Sequence, residues 1–180
     1  GRLEQKKGRL TALLAAHHGL PPPDGAWPLS LLLSRAPLRA RRADTFASVA
    51  GQLLGATPRQ LAAGLSVRFA GEAAVDAGGC TRELFALLAS QCVDERLVRT
   101  LEDGSLYLRP RSGEPAAASP PPLCWYEAVG RLVGCALAAA CAPVVDGVTA
   151  PLTFPLSLST ALLRMATDTP IVAADVRATS

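Results

Sequence analysis

The chain has 180 residues, 18 Lys+Arg against 15 Asp+Glu for a net charge of +3, and 49% hydrophobic residues. That length suits one domain, and the apolar content with low net charge excludes disorder along the whole chain. The weak positive field excludes a strongly basic nucleic-acid binder, while Ala (33), Leu (29) and Arg (16, against 2 Lys) are so abundant that composition alone carries little further meaning.

In chain order, the first third is poorly patterned. Leu3 to Ala16 is compatible with an amphipathic helix, and Gly19 to Pro28, with Pro21-Pro22-Pro23 and Asp24-Gly25, reads as loop. A short apolar piece, Leu29 to Leu33, and a basic piece, Pro37 to Arg42, follow. From Ala43 to Leu54 the residues Phe46, Val49, Ala50, Leu53 and Leu54 keep a helical period that Gly55 ends. Thr57-Pro58-Arg59-Gln60 reads as a capping box with Pro at the first helical position, opening a short helix closed by Gly64. Leu65, Val67 and Phe69 alternate with Ser66 and Arg68, which predicts a half-buried strand.

Ala70 to Gly79 is a glycine-containing loop that runs into a helix from about Thr81 to Val93, with Leu84, Phe85, Leu87, Leu88 and Cys92 as its buried stripe. Ser105 to Arg109 is a second strand candidate, and the Pro/Ala/Ser-rich stretch Pro110 to Pro122 reads as a surface insertion. A long apolar helix is predicted from Trp125 to Cys141, stopped by Pro143, and a last one near Pro155 to Ala166. The most apolar run, Leu132 to Val145, is 14 residues, short of the roughly 20 that span a bilayer. No signal peptide is visible, so a soluble chain in a reducing compartment, cytoplasmic or nuclear, is expected.

Chemistry-bearing candidates are few. Strand, Gly-rich loop (Gly71, Gly78, Gly79) and helix N-terminus suggest an anion cradle, but no Gly-Lys-Ser/Thr follows, the dinucleotide spacing is absent, and Glu72 and Asp76 repel phosphate. Turn and capping chemistry, with Asp76 and Glu83 at the helix start, is the better account. Of Cys80, Cys92, Cys124, Cys135 and Cys141, no two have zinc-hairpin spacing, and only Cys80 sits at a helix start, with no His nearby to complete a Cys–His pair. Adjacent His17 and His18 point to different sides of a helix and lack a third metal ligand. Arg35, Arg39, Arg41 and Arg42 lack interleaved aromatics, which favours a solvated segment beside a charged partner over nucleic acid. Gly130 and Gly134, one turn apart, predict a close approach of another element to the last long helix.

Taken together, Leu65 to Glu72, Val75-Asp76-Ala77-Gly78-Gly79 and Thr81-Arg82-Glu83-Leu84-Phe85 to Leu88 resemble the N-terminal lobe of HECT-type ubiquitin ligases: apolar strand, Gly-Glu, Asp-x-Gly-Gly, Arg-Glu and a Leu-rich helix. Leu84 replaces the usual first aromatic. Tyr107-Leu108-Arg109-Pro110 and Gly130-Arg131-Leu132-Val133-Gly134-Cys135-Ala136 are similar to later motifs of that lobe, and Arg41-Arg42 to its opening; the resemblance runs from about Pro37 to Asp175. It implies an α+β, predominantly helical fold with a few short β-strands. Residues 1–34 form an N-terminal extension, and 35–180 a partial lobe without the small conjugating-enzyme-binding subdomain or the C-lobe.

The implied function is that of a ligase scaffold. Its partners are a ubiquitin-conjugating enzyme, ubiquitin and a protein substrate, and the ubiquitin-carrying cysteine lies in the separate C-lobe. No catalytic, cofactor-binding or metal-binding residue is therefore expected in this chain, and no cofactor. A non-catalytic module that binds ubiquitin or a partner is the alternative. Arg131 either meets Glu72, Asp76 or Glu83, as the resemblance suggests, or lies solvated at the helix edge.

Overall fold

A computed structural model of the chain describes residues 2–18, 34–73, 78–94, 97–109, 121–141, 157–166 and 170–172. Helix α1 (Arg2–His18) packs on two later helices, α3 and α5, defined below. Strand β1 (Ala36–Ala40) leads through a 3-10 turn, Arg42–Asp44, into α2 (Thr45–Gly55), then α3 (Pro58–Ala63) and β2 (Leu65–Phe69). β1 and β2 pair in parallel, Ala36 opposite Leu65 through Ala40 opposite Phe69. A parallel pair needs a crossover, and α2 with α3 supplies it.

β1 corrects the reading of Pro37 to Arg42 as merely basic. Ala36, Leu38 and Ala40 are buried and alternate with exposed Pro37 and Arg39, the pattern that β2 also shows. Two of the three inward residues are alanines and a proline stands among them, so the strand signal is weak in the sequence. The proline is tolerable because its nitrogen lies on the edge of β1 away from β2. On that edge the Gln52 side chain from α2 takes the place of a strand: Arg39 N–H donates to Gln52 Oε1 at 2.9 Å, and Gln52 Nε2 donates to Arg39 O at 2.9 Å. The Arg41 N–H likewise donates to Ser48 Oγ at 3.0 Å.

α2 buries Phe46, Val49, Ala50 and Leu53 against β1 and two later helices, the helical stripe that the spacing predicts. The capping box at Thr57 is formed: Thr57 N–H donates to Gln60 Oε1 at 2.9 Å, and Gln60 N–H to Thr57 Oγ1 at 3.3 Å. Gly64, at φ 105°, turns the chain into β2, a conformation that strains any residue with a Cβ.

Helix α4 (Gly79–Asp94) buries Leu84, Phe85, Leu88 and Cys92. It is followed by the antiparallel hairpin of β3 (Val98–Thr100) and β4 (Leu106–Leu108), which turns at Gly104 (φ 78°) with Asp103 Oδ1 accepting from Ser105 N–H at 2.8 Å. The predicted strand is β4; β3, only three residues with Arg99 at its centre, is an addition.

Helix α5 (Leu123–Cys141) closes the core with Ala128, Val129, Leu132, Cys135 and Ala136, and its Trp125 ring lies 5.1 Å from Phe46. The last helix, α6 (Thr160–Ala166), starts later than expected. Before it, Leu158 bridges Leu106: Leu106 N–H donates to Ser157 O at 2.6 Å and Ser159 N–H to Leu106 O at 2.8 Å. Buried Ser159 then caps the helix by accepting from Leu162 N–H at 3.3 Å. The described residues are thus mostly helical with two small sheets, an α+β arrangement. The predicted loop at Gly19 to Pro28, the piece Leu29 to Leu33 and most of the Pro110 to Pro122 insertion lie outside the described residues. No helix among those described is long and apolar enough to cross a membrane.

Among the described residues, the close approach expected at Gly130 and Gly134 is not found. Both are exposed, and a Cβ added at either would meet no atom of the described residues within 4 Å. The pair faces outward because the buried stripe of α5 runs through Ala128, Leu132, Cys135 and Ala136, a different side of the helix.

Candidate functional site

Three segments that are distant in sequence meet at Arg42, the first residue of the turn after β1. Glu72 comes from the turn that leaves β2, and Glu83 from the first turns of α4. The guanidinium grips both carboxylates: Nε to Glu72 Oε1 at 2.5 Å, Nη2 to Glu72 Oε2 at 3.1 Å, Nη1 to Glu83 Oε1 at 2.5 Å and Nη2 to Glu83 Oε2 at 3.1 Å. Its plane sits over the Phe69 ring, with the central carbon 4.3 Å from the centroid. Phe69 is buried and the three charged side chains are about half exposed, so the ring anchors one face of the guanidinium while the other meets water.

Hydrogen bonds from Arg42 hold the Glu72 and Glu83 carboxyls below the usual range, and the same bonds push Arg42 up. With both acids ionised and the base fully engaged, the cluster has no proton to exchange near neutral pH. Its chemistry is bidentate clamping of the strand–loop–helix segment onto the end of β1. The Glu72 carboxylate at the start of this loop is taken by Arg42, and residues 74–77 of the loop lie outside those described. Gly71 (φ 83°) and Gly78 (φ 97°) give the loop its turns, while Asp76 lies outside the described residues.

Arg131 does not meet this cluster, which corrects the pairing suggested by the resemblance; nor is it simply solvated. Its Nη1 donates to three carbonyls at the C-terminal end of α2, Leu53 O at 3.0 Å, Leu54 O at 2.9 Å and Ala56 O at 3.1 Å, and its Nη2 to Glu127 Oε1 at 3.0 Å. Those carbonyls lie at a helix end, where acceptors run short of intrahelical donors and the backbone dipole also favours a cation; Leu53 O additionally accepts from Ala56 N–H at 3.4 Å. The partner of the acids is Arg42, which the sequence reading grouped with a basic run. Two acids flanking a tight loop, with an arginine at the close of the preceding strand, were the available signal.

The remaining arginines separate. Arg41 pairs with Asp44, three residues on, which lowers the Asp44 carboxyl. Arg35 is half-buried with its Nε lacking a hydrogen-bond partner, and Arg39 is exposed opposite Arg68 across the β1–β2 pair.

Among the cysteines, burial pushes the thiols of Cys92 and Cys135 up to about 12, so both stay protonated and unreactive. Cys80 is half-buried at the start of α4 and Cys124 is exposed at the start of α5; Cys141 ends α5, its side chain outside those described. His17 is exposed on α1, the side chain of His18 is not described, and no three metal-ligating side chains converge among the described residues.

No protein-family model matches the chain. Over 112 residues it is 28% identical to E3 ubiquitin-protein ligase RSP5 of Saccharomyces cerevisiae, an alignment that covers 59% of this chain and 13% of that protein. The chain therefore spans a small part of its relative's length, and the two are distantly similar.

Proposed function

We propose that the chain is the large part of the N-terminal lobe of a HECT-type ubiquitin ligase, a scaffold that acts with a ubiquitin-conjugating enzyme, ubiquitin and a protein substrate while the ubiquitin-carrying cysteine lies in a C-lobe beyond these residues. The observation that carries the reading is the Arg42 clamp. It joins three of the segments on which the sequence resemblance rests: the Arg41-Arg42 opening, the Gly71-Glu72 turn and the Arg82-Glu83 helix start. The distant similarity to a yeast ubiquitin ligase supports it from outside the chain.

In this reading the lobe contributes position rather than a reacting group. Transfer of ubiquitin from one thiolate to another and then to a lysine amine depends on how closely donor and acceptor are held, and a rigid lobe sets that distance. Cys92 and Cys135, protonated and buried, are unsuited to carry a thioester.

Incubating the 180-residue chain with ubiquitin-activating enzyme, a panel of conjugating enzymes, ubiquitin and ATP, followed by a non-reducing gel, tests this. No thiol-sensitive ubiquitin adduct is expected on this chain alone, whereas the same chain joined to a HECT C-lobe and its small subdomain is expected to form one. An adduct on the chain by itself overturns the reading, as does failure of the joined protein when it folds and binds the conjugating enzyme.

A further inference from the structure

We propose that the solvent face of the β1–β2 pair is a docking surface for an acidic, extended protein segment. The face stands apart from the Arg42 clamp, and the inference does not depend on the ubiquitin reading.

The register sets Arg39 directly across from Arg68 and Pro37 across from Ser66, and all four are exposed. Neighbouring parallel strands lie about 4.8 Å apart, so two guanidinium stems leave the sheet side by side. Like charges directly opposite on a sheet face are unfavourable, and nothing within the face offsets them, since Pro37 and Ser66 carry no charge. No hydrogen bond or ion pair joins either guanidinium to a described residue. The carboxylates that form ion pairs here are engaged elsewhere: Asp44 with Arg41, Glu72 and Glu83 with Arg42, Glu127 with Arg131.

The presenting backbone is also held. Gln52 clamps both the N–H and the C=O of Arg39, and its own Nε2 donates to Ser48 O, so the Arg39 stem leaves a fixed strand rather than a loop. Arginine forks suit carboxylates bidentately, and two of them side by side match successive acidic side chains on an extended segment. The face carries no aromatic side chain on which a base would stack, which separates it from single-stranded nucleic-acid platforms.

Fluorescence anisotropy on the full 180-residue chain, with a labelled peptide of alternating Glu and Ser as probe, tests the proposal. Binding is expected in low salt, fading as salt rises, and absent for the same peptide with Gln in place of Glu. The double charge reversal R39E/R68E is expected to weaken binding roughly tenfold or more while leaving the melting temperature close to that of the parent. R59E, which reverses an exposed charge on α3 outside this face, is expected to bind as the parent does. Should R39E/R68E unfold, R39Q/R68Q removes the charges without reversing them and carries the same expectation in weaker form. Peptide binding that is absent in the parent, or equal in parent and double variant, overturns the proposal. So does an oligothymidylate that binds more tightly than the peptide and is lost with the same two arginines, which assigns the face to nucleic acid.

Discussion

At the residue scale, two arginines hold the fold together in different ways. Arg42 clamps Glu72 and Glu83, and both acids have folded-state pKa values depressed below their unfolded values. The stability this clamp supplies is present above the unfolded glutamate range, about pH 4.3, and is lost as pH falls through the folded values. An acid melting series is therefore expected to show the parent losing thermal stability below about pH 4 more steeply than Arg42→Gln, whose acids have no cation to lose. Parallel acid limbs for the two proteins would show the clamp to be energetically idle. Arg131 serves neutral acceptors instead: Arg131→Met leaves the carbonyls of Leu54 and Ala56 without this donor, and is expected to cost about 1–3 kcal/mol in chemical denaturation. Glu127→Gln, which touches only the exposed side of the same arginine, is expected to cost about 0.3–0.5 kcal/mol. Of these two roles, only the existence of the charged residues was legible in the sequence. Partner choice was not, because Arg42 reaches across 30 and 41 positions and Arg131 across more than 70.

At the scale of elements, periodicity sufficed where side chains are large. Phe46, Val49 and Leu53 on α2, Leu84, Phe85 and Leu88 on α4, and Leu65, Val67 and Phe69 on β2 are buried as their spacing predicts, and the Thr57–Gln60 box caps α3. Phe46→Ala is expected to cost about 3–5 kcal/mol in a urea titration, since its ring is buried against Trp125. Small residues misled. The alanines of β1 concealed a strand, and the Gly130–Gly134 spacing suggested a helix contact that the outward-facing glycines do not make. Gly134→Ala is accordingly expected to stabilise the chain by about 0.5–1 kcal/mol, because the added methyl meets no described atom and the helix loses one of its two glycines. A fall in melting temperature for that variant would mean that some element covers this side of α5 in solution.

At the scale of the whole molecule, one core joins β1, β2, α2, α4, the β3–β4 hairpin and α5. Two of the cysteines belong to it. Mass-mapped alkylation of the native chain near pH 8 is expected to modify Cys124 first and to spare Cys92 and Cys135 until the protein unfolds, since thiols held near 12 present almost no thiolate there. Rapid labelling of Cys92 or Cys135 would show that the core opens. By itself the sequence determined the α+β balance, most helices, the capping box and the ordered motifs behind the ubiquitin-ligase resemblance, because these rest on local spacing and large apolar side chains. Only the tertiary structure decided that Arg42 rather than Arg131 takes the two acids, that Gln52 completes the edge of β1, and that Arg39 stands against Arg68. Each of these is a polar contact between segments distant in the chain, and hydrogen-bond partners at that separation are set by how the core brings the segments together, which no local period encodes.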